Sequence, residues 1–385
     1  MELVILIVRN LFRHKLRSGL TILGIAIAML SFGMLKTLIE AWYVGVEGSA
    51  PNRLVTRNKT SLIYSLPLAH RAKLLQVPGV AAASHGLWYG GIYKDKKNFF
   101  PQFAVSGIDY LDLYPEFLLG ETERKDFQLH KNAAVVGRKL AERFGWRVGD
   151  IIPLQGTIYP GQVELLLVGI YRGARRSVDE SAMFFRWDYL NEEIRKVFPR
   201  RADRTGWYIV KIHDPERAAE VSAEVDALFR NSLAETLTET EKAFQLGFVA
   251  MTEAIVVAIR LISLVVIAII LIVLANTMAM TSRERSWEFA VLKTLGFRSW
   301  FIFTLIAGES ISLAMMGAAV GALATIPGEL VFRYELQGIL PVFYVAPSTI
   351  ALIFAIAFGV GIAAAAPPAV KMSRLNISAG LGHIG

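Results

Sequence analysis

Apolar residues along this chain follow two patterns. Four stretches, 19–35, 261–280, 301–326 and 350–366, are almost continuously apolar, and each is near the ~20 residues that a helix needs to cross a ~30 Å hydrocarbon core. Between 44 and 240 the pattern changes to short alternating elements. Residues 133–137, 150–154, 163–171 and 207–212 are predicted strands from their β-branched and aromatic content. Residues 138–144 are a predicted short helix ended by Gly145, and Asp214-Pro215 begins another, continued by Ala218, Val221, Val225 and Leu228 at helical spacing. The fold expected is an α-helical membrane protein with four transmembrane helices and a large α+β extracytoplasmic domain inserted between the first and second.

The segments around these elements carry further expectations. Residues 1–18 mix Leu3, Val4, Ile5, Leu6, Ile7, Val8, Leu11 and Phe12 with basic side chains, a pattern for an amphipathic helix on the inner leaflet or a simple extension of the first span. Residues 36–46 and 241–260 continue helically beyond the hydrocarbon, and neither junction is rich in Gly, Ser or Pro. Together they form a predicted stalk. Residues 87–100 read as a hairpin with aromatic flanks and a Lys94-Asp95-Lys96-Lys97 tip, either a core hairpin with a solvated turn or a partner contact. The resulting division is 1–18 amphipathic helix, 19–43 first span and stalk, 44–240 outer domain, 241–280 stalk and second span, 281–299 inner loop, 300–326 third span, 327–349 outer loop, 350–367 fourth span and 368–385 tail.

The loop between spans two and three is predicted to hold a compact charged helix over 281–296. On a helical wheel Trp287, Ala290, Val291, Thr294 and Leu295 share one side, with Phe289 and Leu292 roughly opposite, so little of the circumference suits open water. Such a helix needs a partner, unless it is only a solvated connection. Glu284 and Glu288 stand at i and i+4, a repulsive spacing that Arg285 relieves in part. Gly296 follows the last periodic residue, where a left-handed cap removes any use for a Cβ.

Composition and charge orient this picture. With 54% hydrophobic residues and mean hydropathy of +0.44, the chain is too apolar for a wholly soluble protein, yet 19% charged residues leave room for a water-exposed domain. Arg9, Arg13, Lys15 and Arg17 precede span one, Arg283, Arg285, Lys293 and Arg298 fill the 281–299 loop, and Lys371 and Arg374 follow span four. All fall on one face, expected to be cytoplasmic and to carry both termini. The first span, lacking a small-residue cleavage site after it, is expected to stay as an anchor. The net charge of +8 and pI near 9.5 then need no nucleic-acid partner, because topology and anionic membrane lipid use much of the Lys and Arg. Cysteine is absent, so the outer domain must rest on a hydrophobic core.

Within the spans, Gly317-x-x-x-Gly321 and Gly359-x-x-x-Ala363 predict close helix approach. Glu309 is a charge expensive enough in hydrocarbon to mark a functional or paired position. Catalytic signatures are missing: the sequence has no phosphate-binding G-x-x-x-x-G-K-[ST] loop, no nucleophile elbow and no metal-ligand spacing among His14, His70, His85, His130, His213 and His383. No catalytic or metal residues are therefore expected, and substrate-binding residues are not legible.

Several motifs, in order along the chain, resemble the permease subunits of MacB/FtsX/LolC-type (type VII, mechanotransmission) ABC transporters. These are Arg9-Asn10-Leu11 through Leu23-Gly24-Ile25, Val136-Gly137 with Leu140-Ala141 and Val148-Gly149-Asp150, Asn276-Thr277-Met278, Arg283-Glu284-Arg285, Glu288 to Gly296, and Glu309-Ser310. Trp287 departs from the basic residue often found there. The resemblance implies a non-catalytic subunit, with ATP and Mg bound by a separate cytoplasmic ABC ATPase, and a dimer with a second permease copy or sister permease. It implies a periplasmic adaptor or lipoprotein carrier as a further partner. Coupling to the ATPase would fall to Arg283, Glu284, Arg285, Glu288, Leu292, Lys293 and Gly296. The function expected is efflux or extraction of an amphiphile, lipoprotein, peptide or antibiotic. The alternative is FtsX-like signalling that activates an extracytoplasmic cell-wall hydrolase without transport, a branch whose outer domain is usually smaller than the ~200 residues available here.

Overall fold

The computed structural model describes residues 7, 10, 11, 13–335, 340 and 342–373. The chain divides into two compact units, one of Met1–Ala41, Thr252–Glu335 and Phe343–Gly385, the other of Trp42–Met251 and Leu336–Val342.

The first unit is helical. Helices Lys15–Gly48, Glu253–Glu284, Ser299–Glu335 and Pro347–Ser373 include four segments long and apolar enough to cross a membrane. Each exceeds its predicted span, since the apolar run marks only the part that suits hydrocarbon and the backbone hydrogen-bond ladder continues into polar turns. Span three runs through Pro327 to Glu335, so much of the predicted 327–349 loop is helix. Ile25, Met29, Leu274, Met278, Ile302, Leu305, Ala314 and Ala357 share one buried core. Ile7 and Leu11 are buried in it too, whereas most of the remaining predicted amphipathic positions of 1–12 lie outside the described residues, as does the tail beyond Ser373.

One of the two predicted small-residue motifs is placed as expected. A Cβ on Gly317 would stand 2.5 Å from Ile25 Cγ2 and 3.1 Å from the Ile22 carbonyl, and one on Gly321 would stand 2.7 Å from the Ala26 carbonyl. These glycines let span three touch the backbone of span one. The second motif is misplaced: Gly359 has open space, while Gly361 lies against Ile311, at 2.9 Å from its Cα, and its carbonyl accepts a 2.7 Å hydrogen bond from the Ser310 hydroxyl. Gly321→Ala is therefore expected to destabilise the helical unit by about 1–3 kcal/mol through overpacking against backbone that cannot yield. Gly359→Ala should be neutral within ~0.5 kcal/mol. Thermal unfolding of the two variants in one detergent checks this, and equal Tm values would refute the assignment.

The second unit is α+β. Its strands are β1 (Arg53–Asn58), β2 (Leu66–Pro67), β3 (Val80–Trp88), β4 (Gln102–Val105), β5 (Phe117–Leu118), β6 (Ala133–Gly137), β7 (Ile151–Gln155), β8 (Gln162–Gly173), β9 (Met183–Arg186), β10 (Arg204–Thr205), β11 (Trp207–Ile212) and β12 (Thr236–Thr240). Ten of them form one sheet in the order β12-β1-β11-β3-β4-β9-β6-β8-β5, with β7 paired to β8. Pairs β4–β9 and β6–β8 are parallel and the others antiparallel. Alternation then sorts the core. Val55, Ile209, Val105, Phe184 and Val135 occupy one face; Leu54 with Val210, and Ala104 with Phe185 and Ala134, occupy the other.

The predicted strands at 133–137 and 207–212 and the helix Arg138–Phe144 match their sequence boundaries, with Gly145 left-handed at φ 70°. Asp150 falls outside its strand because its carboxylate accepts the Arg147 N–H at 2.8 Å in the preceding turn. The predicted helix at Asp214-Pro215 begins as a 3-10 turn, Pro215–Arg217, before the α-helix Ala218–Leu228. The predicted hairpin over 87–100 is met in part, with an exposed turn at 94–97, but not in its path. β3 and β4 do pair, with Trp88 opposite Phe103, but the chain between them makes a long excursion in which Ile92 pairs with Gln155. Tyr89, Tyr93 and Phe100 are buried along it, and Trp146 Nε1 donates to the Tyr93 hydroxyl at 3.1 Å. Core burial of its aromatic residues, rather than turn chemistry, sets its path.

This unit also holds a buried arginine. Arg53 Nε donates to Glu241 at 2.8 Å, its two terminal nitrogens donate to Glu116 at 3.0 and 2.6 Å, and one also donates to the Leu113 carbonyl at 2.9 Å. Its guanidinium carbon sits 4.2 Å from the Tyr114 ring centroid. Burial works against the charge, but the two carboxylates overcome it and raise the Arg53 pKa further. The fork joins the start of β1 to helix Glu241–Met251.

Candidate functional site

Within the helical unit, the segment after span two is two pieces rather than the single helix predicted over 281–296. Span two continues to Glu284, Arg285 breaks the helix at φ −103° and ψ 12°, and a short helix runs over Ser286–Thr294. Its end is a Schellman motif: Gly296 N–H donates to the Lys293 carbonyl at 3.0 Å and Phe297 N–H to the Leu292 carbonyl at 3.0 Å, with Gly296 at φ 90°. The predicted role of Gly296 as a left-handed cap is met.

Glu284 ends span two and Glu288 lies in the short helix, so the two do not share one helix. Each carboxylate takes an arginine from the amino-terminal segment. Arg17 holds Glu284 through two hydrogen bonds of 2.7 and 2.9 Å, and Arg13 pairs with Glu288. Arg285 turns inward: its Nε donates to Glu288 at 2.9 Å, and one terminal nitrogen donates to both oxygens of Glu309 at 3.1 and 3.0 Å. Its guanidinium also lies 5.3 Å from the Phe289 ring centroid. Burial opposes ionisation of Glu288, yet the hydrogen bonds from Arg285 and Arg13 prevail and hold its pKa below the usual carboxylate value.

The wheel reading is also corrected. Phe289 is buried in the helical core with Leu292 packed against it, and Ala290 is buried as well, so Ala290 does not share the outward side with Trp287. Trp287, Val291 and Leu295, at i, i+4 and i+8, form that side, and Trp287 is 50% and Leu295 70% exposed. Phe297 and Trp300 extend the exposed apolar surface beyond the cap. A short helix is thus fixed on one face by aromatic burial and a charge cluster, and offers an apolar stripe on the other.

Of the seven residues named from sequence, Glu284, Arg285 and Glu288 meet in the charge cluster, and Leu292 and Gly296 shape the helix. Lys293 is half-buried on the packed side, and Arg283 is exposed on span two. Arg13, Arg17 and Glu309 are the partners that sequence reasoning did not connect to them. A signal existed: Arg13 and Arg17 are four residues apart, as are Glu284 and Glu288, with opposite sign.

A multi-pass membrane chain whose short inter-span helix is braced from within and apolar outside has the form of a transporter's membrane subunit. The profile of the MacB-like periplasmic core domain matches residues 18–228, and that of the FtsX-like permease C-terminal domain matches 260–377. The chain belongs to this family, the MacB/FtsX/LolC-type ABC transporter permeases. An uncharacterised ABC transporter permease of Methanocaldococcus jannaschii is 23% identical over 334 residues, covering 81% of this chain and 80% of its own. An uncharacterised ABC transporter permease protein of Mycobacterium tuberculosis is 26% identical over 200 residues, covering 51% of this chain and only 22% of its own length. The periplasmic region of MacB from Actinobacillus actinomycetemcomitans aligns over 53% of this chain and 95% of that one, at 11% identity and a TM-score of 0.39. The assignment rests on the two family profiles.

Proposed function

We propose that this permease couples ATP hydrolysis by a separate cytoplasmic ABC ATPase, which binds the ATP and Mg, to motion of its α+β unit, and thereby drives efflux or extraction of an amphiphile, lipoprotein, peptide or antibiotic. The observation that carries the reading is the two-faced helix Ser286–Thr294, whose Trp287, Val291 and Leu295 stripe has no water-facing purpose while Phe289 and Ala290 anchor it. Under this proposal the ATPase receives the stripe, Arg285 and Glu288 pass the load to Glu309 in span three, and Glu284 passes it to span one through Arg17. Arg283 and Lys293 supply basic flanks, while Leu292 and Gly296 keep the helix in shape. The chain sits in the inner membrane with both termini cytoplasmic, its residues 44–240 lie outside, and two permeases form the complex. The unbroken helix from Lys15 to Gly48 suits transmission of motion.

The test is co-purification. A Trp287→Asp/Leu295→Asp variant of the full chain, expressed beside its cognate ATPase, should retain at most about a tenth of the associated ATPase activity, because buried carboxylates in an apolar groove are severely unfavourable. Its Tm should stay near that of the parent chain, since both side chains are exposed. Undiminished ATPase recovery would refute the docking assignment.

A further inference from the structure

The α+β unit carries a large cleft that the coupling proposal does not use. Its volume is about 1450 Å³, above the roughly 300–1,000 Å³ of ordinary small-molecule sites. The floor is the sheet face of Val55, Phe103, Phe184, Trp207 and Ile209, and Tyr110, Tyr114 and Phe117 also line the cavity. Phe103 stacks on Phe184 at 5.7 Å and meets Trp207 edge to face at 5.8 Å, so the floor is a continuous aromatic surface. The remaining lining includes Leu62, Ile63 and Tyr64 from the loop after β1, and Phe248 from helix Glu241–Met251. These four are exposed, Ile63 at 91%.

The exposed charge lining the cleft is basic. Arg200, Arg201 and Arg204 line it, all exposed; among the described residues none of the three makes an ion pair, and the Arg201 guanidinium lies 5.6 Å from the Phe198 ring centroid. The two acidic side chains lining the cleft are already engaged: Glu241 holds Arg53 at 2.8 Å, and Asp179 accepts the Ser181 N–H and hydroxyl at 2.7 and 2.6 Å. Among the described residues these three guanidinium groups beside a long apolar trough have no anionic partner, and a ligand of complementary form has an anionic head and a long apolar body. Guanidinium forks suit phosphate oxygens in particular.

We propose that this cleft binds an anionic phospholipid, its phosphate at Arg200, Arg201 and Arg204 and its acyl chains along the aromatic floor. The proposal deepens the transport reading above and rests on the α+β unit being the part that handles an amphiphile. The probe is a phosphatidylglycerol carrying a diazirine on its acyl chain, compared with the matching phosphatidylcholine, each at about 5 mol% in phosphatidylcholine nanodiscs holding the full chain. After irradiation, peptide mapping should place phosphatidylglycerol adducts on the aromatic floor and on the loop bearing Ile63. The Arg200→Glu/Arg201→Glu/Arg204→Glu variant, altered only at exposed positions, should lower those adducts roughly tenfold while leaving adducts on the four spans unchanged. Ile63→Glu should lower them as well.

Adducts confined to the spans, or equal labelling by the choline lipid, would overturn the assignment. So would adducts that persist in the triple variant, or a cleft covered by a second copy of the chain or by a co-purifying peptide and closed to the lipid. Labelling needs neither nucleotide nor ATPase, so its failure is separable from loss of ATPase recovery in the Trp287→Asp/Leu295→Asp variant.

Discussion

Arg285→Ala is expected to destabilise the helical unit by about 3–5 kcal/mol and to uncouple any bound ATPase. Glu309 is 4% exposed and its described cation is Arg285, so deletion of the guanidinium leaves a carboxylate buried among apolar spans. The loss then reflects an unpaired charge rather than the net worth of the pair. Arg285→Met combined with Glu309→Met should accordingly recover most of the lost stability, since it removes both desolvated charges and fills similar volume. It should not recover coupling, because the hydrogen bonds by which Arg285 links Glu288 of the short helix to Glu309 of span three are gone. Thermal unfolding in detergent reads the first effect, and ATP-dependent activity of the reconstituted complex reads the second. A double variant as unstable as the single one would show that Arg285 matters through packing on Phe289 instead.

Arg53→Met is expected to have a comparable effect, about 3–5 kcal/mol, in the α+β unit. It strands Glu241, which is buried, and frees Glu116 and the Leu113 carbonyl from the same guanidinium. Arg53→Lys should recover only part of this, because one ammonium cannot reach two carboxylates and a carbonyl in a fixed planar fork. Hydrogen exchange of the full chain checks both variants: protection should fall first in β1 and in helix Glu241–Met251, which the fork joins. Unchanged protection in both elements would show that the fork does not hold them together.

Local chemistry made several elements legible. A left-handed glycine after a short helix needs no distant partner, so Gly145 and Gly296 are placed as the sequence predicts. The strands 133–137 and 207–212 are similarly plain, because β-branched runs bounded by turn residues point to one local structure. Glu309 was recognisable as a residue in need of a partner. The identity of that partner was not, because Arg285 reaches it only after the chain breaks between span two and the next helix. The excursion after Trp88 misled for a related reason: its aromatic residues bury against distant β7 and the Trp146 turn, and burial outweighs local turn preference.

By itself the sequence determined four helices that suit hydrocarbon, an α+β region between the first two, a polar helix-bearing loop and, through motifs in order, the permease family. The elements follow from periodicity or composition over neighbouring residues, where chain connectivity supplies the geometry, whereas the family follows from motif resemblance. Tertiary structure alone decided that Gly361 rather than Gly359 meets a neighbouring helix, that Arg13 and Arg17 clasp the two glutamates, that Ala290 turns inward, and that a cleft with an aromatic floor is lined by three exposed arginines. Those are contacts between residues tens to hundreds of positions apart. Their selection depends on which desolvated charges and apolar faces the packed chain brings together, and local spacing, even the matched i,i+4 spacing of the arginines and glutamates, does not by itself choose the partner.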